Sequence, residues 1–82
     1  MFQGLCKVLI VGPTADGPTE LKIRPQDGSF PVNFFLSSPS VSREVLAIAL
    51  AAVVSNRLVY CEIPNETTSY STITRILIGD DG

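Results

Sequence analysis

Hydrophobic and polar positions alternate along most of this chain, and one segment breaks the alternation. Residues 5–11, 20–24, 30–36, 58–63 and 70–78 form short runs rich in β-branched or alternating apolar residues. Runs of this length, bounded by Gly, Pro, Asn and Asp, predict strands. Residues 40–56 stay apolar without alternating and predict the single helix. The pattern therefore predicts a mainly β domain with one α-helix, in the order β-β-β-α-β-β.

Alternation within the first two predicted strands assigns their side chains to faces. In the first strand Cys6, Val8 and Ile10 share one face of the sheet. In the second strand Leu21 and Ile23 are expected to point inward, because polar residues flank them on both sides.

The third predicted strand carries two adjacent phenylalanines on opposite faces. Val32, Phe34 and Leu36 share one face, whereas Phe35 lies on the other face beside Asn33. We expect the Phe35 ring to face outward or toward a partner. The last predicted strand, residues 70–78, is expected to be continuous, and residues 79–82 to form a frayed tail.

The predicted helix, SVSREVLAIALAAVVSN, is apolar on almost every side. A surface helix normally has a polar face, and a helix that is apolar all round is normally buried all round. A chain of 82 residues has little core with which to cover such a helix. We therefore expect a homo-oligomer in which neighbouring copies cover part of the helix, with Val45, Ile48, Ala49 and Ala52 in the interface.

Three strands, a helix and two further strands match the plan of the OB-fold, a five-stranded, partly open barrel. The first and fourth strands are neighbours in this plan, so Cys6 and Cys61 are expected on adjacent strands. Two buried reduced thiols and a disulfide are both compatible with that placement, and we expect the disulfide. Such a bridge closes a long loop and would stabilise the fold by ~4 kcal/mol.

The composition bears on which partners and which assembly the chain is expected to have. Six Lys and Arg stand against eight Asp and Glu, a net charge of −2, so the basic stripe that nucleic acids require is not expected. Only 17% of the residues are charged, below the usual ~25%, which again favours an oligomer. The apolar run from 45 to 54 is shorter than the ~20 residues of a membrane span. We expect one domain over residues 1–82.

The amino-terminal residues bear on localisation. No basic start followed by an apolar stretch precedes the first strand, so no signal peptide is visible. We expect a secreted or periplasmic protein in which Met1 stands in place of a removed leader, with a cytoplasmic protein as the alternative.

Catalysis is not expected from these residues. The chain has no His, and its Asp residues lie in turns or in the tail, where Asp accepts local hydrogen bonds. Two Cys without a His also fall short of the four ligands of a structural zinc site. We therefore predict a protein that is not an enzyme and has no cofactor and no metal site.

Polar loops are the candidate binding region. In OB-folds the loops after the first and fourth strands flank the face that binds oligosaccharides or oligonucleotides. Here those loops carry hydroxyl, amide and carboxylate groups with one aromatic ring, which is the chemistry that sugars require. The candidate ligand-binding residues are Asp16, Asn65, Thr68 and Tyr70.

The Cys-bearing first strand, the Asp-Gly hairpin, the helix VLAIALAAVVSN and the following strand LVYCEI carry a family resemblance. Together they resemble small secreted bacterial proteins related to the cell-binding B subunits of A–B toxins, such as the subtilase-cytotoxin and pertussis-like B subunits. The resemblance covers residues 5–78. It implies an OB-fold assembled as a ring, often a pentamer, that binds cell-surface glycans and partners a catalytic A subunit.

These observations together predict a carbohydrate-binding, lectin-like module that forms an oligomeric ring. Two alternatives remain open at this point. One is a structural oligomer without a sugar ligand, and the other is an OB-fold that binds single-stranded nucleic acid through aromatic and basic side chains such as Arg24, Arg75, Tyr60, Tyr70 and Phe35.

Overall fold

Strands precede and follow a single helix in the described part of the chain. The computed structural model describes residues 1–79, so the predicted tail lies outside the described residues except for Gly79. The strands are β1 (Phe2–Pro13), β2 (Thr19–Pro25), β3 (Asn33–Ser37), β4 (Leu58–Ile63), β5 (Ser71–Ile73) and β6 (Arg75–Leu77). A 3₁₀ turn at Pro39–Val41 leads into the helix α1 (Ser42–Ser55).

The strands form one sheet that curls into a nearly closed barrel. Their order in the sheet is β5-β3-β2-β1-β4-β6, so the predicted adjacency of the first and fourth strands is confirmed. All pairs are antiparallel except β3 with β5. Only Thr74 separates β5 from β6, and these two strands lie at opposite edges of the sheet. Because a single residue joins β5 to β6, the two edges of the sheet lie close together at Thr74.

The prediction of one continuous strand over residues 70–78 is wrong, because the chain breaks at Thr74. Ile73 and Ile76 are both buried although they are three residues apart. A regular strand would place them on opposite faces. The break lets both side chains enter the core, while the Thr74 N–H donates to the Glu62 carbonyl oxygen at 2.9 Å. The described residues therefore contain six strands rather than the five predicted.

A bulge in β1 overturns part of the face assignment made from alternation. Val8 pairs with Ile23 and Ile10 pairs with Lys22, so Leu9 is an extra residue in β1. An extra residue reverses which side chains point inward beyond it. Cys6 and Val8 share the buried inner face, but Ile10, expected on the same face, is 53% exposed.

The outward orientation predicted for Phe35 is also wrong. Phe35 pairs with the core residue Leu21, and its side chain is completely buried. Its ring makes an edge-to-face contact with Phe30, with 5.6 Å between ring centroids, and Phe30 makes a similar contact with Phe2. Aromatic pairs of this geometry stabilise a core beyond the area they bury. Phe34 therefore takes the outer face of the sheet.

Helix α1 packs one side on the barrel and leaves the other uncovered. Its end at Asn56 is confirmed: Asn56 adopts a left-handed conformation (φ 57°), and its N–H bonds to the carbonyl oxygens of Ala52 and Val53. At the start of the helix, the Thr19 hydroxyl donates to the Ser42 carbonyl oxygen at 2.8 Å. None of the helices in residues 1–79 is long and apolar enough to cross a membrane.

Candidate functional site

An aromatic pair lies on the outer face of the barrel, where the β4–β5 loop meets β3. The rings of Phe34 and Tyr70 are stacked, with an angle of 10° between the ring planes and 5.8 Å between the ring centroids. Tyr70 is 53% exposed. We call Phe34 and Tyr70 the aromatic platform.

The backbone holds Tyr70 in an unusual conformation. Its φ is 61°, in the left-handed region, where a bulky side chain is rarely found. The Tyr70 N–H donates to the Phe34 carbonyl oxygen at 2.8 Å, and this bond holds the loop against β3. Backbone strain of this kind persists only where neighbouring structure enforces it, and it is concentrated at functional sites.

A cation and a polar rim surround the aromatic platform. Lys22 lies opposite Phe34 in the β2–β3 register, and its Nζ atom lies 5.6 Å from the centre of the Phe34 ring. The Asn33 Oδ1 atom accepts hydrogen bonds from the Ser69 hydroxyl and the Phe34 N–H, both at 2.9 Å. The site thus combines an exposed ring, an amide, a hydroxyl and one positive charge.

Three of the four predicted ligand residues lie in or at the end of the β4–β5 loop. The Asn65 carbonyl oxygen accepts hydrogen bonds from the Thr68 N–H at 3.1 Å and from the Ser71 hydroxyl at 2.7 Å. These backbone contacts fold the loop on itself, and the Asn65 and Thr68 side chains remain exposed. The structure therefore brings Asn65, Thr68 and Tyr70 into one region.

Asp16 does not join this region. It lies in the β1–β2 turn, which the Thr14 hydroxyl closes by donating to the Pro18 carbonyl oxygen at 2.7 Å. That turn leads into Thr19, whose N–H bonds to Ser37 at the carboxyl end of β3. Tyr70 bonds near the amino end of β3, so the two loops lie at opposite ends of this strand. The structure therefore does not bring Asp16 together with the other three residues, because the two loops meet β3 at opposite ends.

Phe34 and Lys22 belong to the site but were missed as binding residues in the sequence. The alternation of β2 and β3, considered together, could have identified them. Because Leu21 and Phe35 point inward, Lys22 and Phe34 share the outer face. The sequence alone did not fix the register that makes this pairing.

The residues predicted for the oligomer interface lie on the side of α1 that faces the barrel. Val45, Ala49 and Ala52 are buried against the barrel of their own chain, and Ile48 packs beside them. Val45, Ala49 and Ala52 fill the core of one chain and are not available to a neighbour, whereas Ile48 is only partly buried. The uncovered side of α1 is instead formed by Ala47, Leu50, Ala51 and Val54.

Cys6 and Cys61 are free thiols in the structure, and both are completely buried. Cys6 pairs with Val59 and Cys61 with Gly4, so the two cysteines occupy diagonal positions on β1 and β4. A hydrogen bond that the Cys61 thiol donates to Cys6, together with burial, raises the pKa of the Cys61 thiol above its usual range. The Cys61 thiol therefore stays protonated at neutral pH, and the disulfide stays a prediction.

Comparison with protein-family models, with curated proteins and with solved structures finds no significant match to this chain. The functional argument therefore starts from the site itself.

Proposed function

We propose that this chain is a non-catalytic carbohydrate-binding module that assembles as a homo-oligomeric ring. The observation that carries the proposal is the exposed aromatic platform of Phe34 and Tyr70, bordered by amide and hydroxyl groups. A sugar ring has an apolar C–H face that packs on an aromatic ring. Its hydroxyls must exchange their bonds to water for bonds to protein donors and acceptors, since unmatched polar groups weaken binding. Asn33, which bonds to Phe34 and Ser69, and the exposed loop residues Asn65 and Thr68 are the groups that we assign to this exchange.

The barrel is best described, in this proposal, as an OB-like fold. In that fold the fifth strand lies between the third and the fourth. Here β5 pairs with β3 and β6 pairs with β4, so β5 and β6 correspond to the two halves of one broken fifth strand. OB-folds bind ligands on the outer face of the second and third strands, beside the loop after the fourth strand. Lys22, Phe34 and Tyr70 occupy that location.

The uncovered side of the helix supports assembly with further copies of this chain. Ala47, Leu50, Ala51 and Val54 recur at helical spacing and form an apolar stripe, in which Val54 is 79% exposed and Leu50 is 50% exposed. Monomeric proteins rarely leave a large contiguous apolar surface in water. A second copy is the occupant that we propose, because the two sides of this stripe complement each other.

Size and charge both differ between the two sides of the stripe. Arg43 and Leu50 are seven residues apart and lie on one side, whereas Glu44 and Ala51 are seven apart and lie on the other. When parallel helices of neighbouring copies meet, Leu50 of one packs on the small Ala51 of the next, and Arg43 approaches Glu44. A contact between two different surfaces repeats from copy to copy and closes into a ring when the rotation permits.

A ring increases the affinity of shallow sites. Several linked sites raise apparent affinity by ~10²–10⁴ without any new contact in each site. Cell-surface glycans are the ligands that we propose, and a catalytic A subunit is the further partner that the resemblance to B subunits implies. In this proposal the protein acts outside the cytoplasm.

A glycan array probed with the oligomer tests the function. We expect Tyr70→Ala to weaken binding by ~1–3 kcal/mol because it removes the stacked ring, and Asn65→Ala to weaken it less. Thr67→Ala is the matched control, since Thr67 is an exposed loop hydroxyl outside the aromatic platform. Circular dichroism verifies that each variant is folded.

Single-stranded DNA at physiological salt is the competing ligand in the same experiment. Lys22 beside stacked rings would also suit a nucleotide base. Salt-sensitive DNA binding without a sugar signal would replace the sugar proposal with nucleic-acid binding. Binding of neither ligand would leave a structural oligomer.

A further inference from the structure

Two positive side chains stand directly opposite each other on the outer face of the barrel. Lys7 on β1 pairs with Arg24 on β2 in the antiparallel register. Directly opposed residues have Cβ atoms ~4.5–5.5 Å apart, and like charges at that spacing destabilise a sheet. Within residues 1–79 neither side chain is in an ion pair, although Glu62 and Glu66 each pair with another cation. The repulsion between Lys7 and Arg24 is therefore left uncompensated by the described residues.

These two cations line a cleft with a volume of about 550 Å³. Lys7 also pairs with Leu58 on β4, so one row of side chains crosses three strands. The remaining walls come from the end of β2 and from the β2–β3 loop and are mainly apolar or backbone; they are Pro25, Gln26, Gly28, Phe30, Pro31 and Val32. The cleft thus combines an apolar wall with two positive side chains from directly opposed positions on β1 and β2.

The β2–β3 loop that forms the wall is held in place by the fold. The Gln26 N–H donates to the Leu5 carbonyl oxygen at 2.9 Å, which ties the start of the loop to β1. Gly28 turns the chain with a φ of 72°, a conformation that favours glycine, and its N–H bonds to the Pro25 carbonyl oxygen. Phe30 anchors the end of the loop in the core. A cleft with such walls needs little ordering when it binds a ligand.

The nearby charges leave this cleft positive. Asp27 is the carboxylate of the same loop, but it accepts hydrogen bonds from the N–H and the hydroxyl of Ser29 and does not line the cleft. Arg57, in the neighbouring groove, donates to the Gly79 carbonyl oxygen at 3.1 Å. Lys22 lies two residues before Arg24 on the same face of β2 and adds a third positive charge along the strand.

We infer that the Lys7–Arg24 cleft binds an oxyanion group, a carboxylate, sulfate or phosphate, carried on a ligand with an apolar portion. The planar guanidinium of Arg24 donates two parallel hydrogen bonds to such a group, and the Lys7 ammonium supplies a compact charge. Binding relieves the repulsion between the two side chains. The apolar walls receive the remainder of the ligand. This inference does not rest on the sugar proposal, because it uses none of the aromatic platform.

Titration followed by amide NMR shifts tests the cleft at constant ionic strength set with chloride. The probes are D-glucuronate, inorganic sulfate and inorganic phosphate, with D-glucose as the neutral counterpart of glucuronate. We expect saturable shifts at the amides of Lys7, Arg24, Gln26 and Gly28 with at least one oxyanion, and none with glucose. The three anions distinguish a planar carboxylate from a tetrahedral group.

Variants separate the cleft from general surface charge. Arg24→Gln and Lys7→Gln should each weaken oxyanion binding about tenfold or more, as expected for charged hydrogen bonds. Arg24→Lys should weaken it partly, because it keeps the charge and loses the paired donors. Arg75→Gln is the matched control that removes one positive charge on β6, away from the cleft. The absence of saturable shifts, or an equal response in Arg24→Gln and Arg75→Gln, would overturn the inference.

Discussion

At the residue scale, Tyr70 shows how one backbone conformation creates the candidate site. Its left-handed φ and its N–H bond to Phe34 bring the ring onto the outer face of β3. A tyrosine is a poor choice for that conformation, whereas glycine or asparagine adopts it readily. Tyr70 therefore lowers the stability of the fold relative to glycine or asparagine at this position. We assign it a binding role because it places an aromatic ring on the surface.

Tyr70→Asn separates binding from stability. Asparagine tolerates the left-handed backbone, so we expect the free energy of unfolding to stay within ~1 kcal/mol of the wild type. Sugar binding should be lost because the ring is gone. Chemical denaturation and the glycan array give the two readouts. Unchanged sugar binding in this variant would move the site away from the aromatic platform.

At the scale of elements, helix α1 has two apolar sides, one buried against the barrel and one exposed. Val45, Ala49 and Ala52 fill the core of their own chain, and the opposite side is the one that we propose contacts a neighbour. This arrangement explains why the helix lacks a polar face although one chain covers only half of it. The same substitution on the two sides should therefore have two different effects.

We expect Ala51→Glu to dissociate the oligomer and leave the monomer folded, because it places a charge in the proposed contact. Ala49→Glu should unfold the chain, since Ala49 is completely buried in the core. Light scattering gives the mass, which should be several times 8.8 kDa for the wild type, and circular dichroism gives the folding state. A wild-type monomer at high concentration would contradict the assembly.

Charge-reversal variants test whether the helices of neighbouring copies pack in parallel. Arg43→Glu should weaken a parallel ring by placing two carboxylates together, and adding Glu44→Arg should restore part of the loss. Exposed ion pairs contribute only ~0–1 kcal/mol each, so dilution series measure the effect better than a single concentration.

At the scale of the whole molecule, β1 and β4 bring together two cysteines that are far apart in sequence. Their diagonal positions put the Cα atoms ~7–8 Å apart, slightly beyond the usual ~6.8 Å limit for a disulfide. The bridge therefore requires a small movement of β1 against β4. The closed loop would be long, and the chain-entropy argument gives ~4 kcal/mol of stabilisation.

Refolding with oxidised glutathione tests this bridge. Disulfide exchange should couple Cys6 to Cys61, lowering the intact mass by two hydrogen atoms and raising the free energy of unfolding by ~2–5 kcal/mol. In the reduced protein both thiols should resist alkylation until the chain is denatured, because both are completely buried. Two free thiols after oxidative refolding would rule out the bridge.

Local patterns in the sequence determined much of the fold. Alternating apolar residues predicted β2 and β4, continuous apolar residues predicted α1, and Asn56 marked the end of the helix. The order of strands and helix predicted the adjacency of β1 and β4, which the sheet confirms. These features follow from short-range periodicity and turn chemistry, both of which depend only on residues close together in the sequence.

Tertiary structure decided the features that depend on which strand lies beside which. The bulge at Leu9 exposed Ile10, the pairing with Leu21 buried Phe35, and the break at Thr74 let Ile73 and Ile76 share the core. The bulge and the break each shift the alternation by one residue, and a shift of one residue exchanges the inner and outer faces. In β3 the alternation is unbroken, and its pairing with β2 decides which face is the inner one. The aromatic platform and the Lys7–Arg24 cleft follow from that register, since their members come from separate strands and loops. A linear pattern carries residue types and spacing, whereas the pairing of distant strands is settled only when the core is packed.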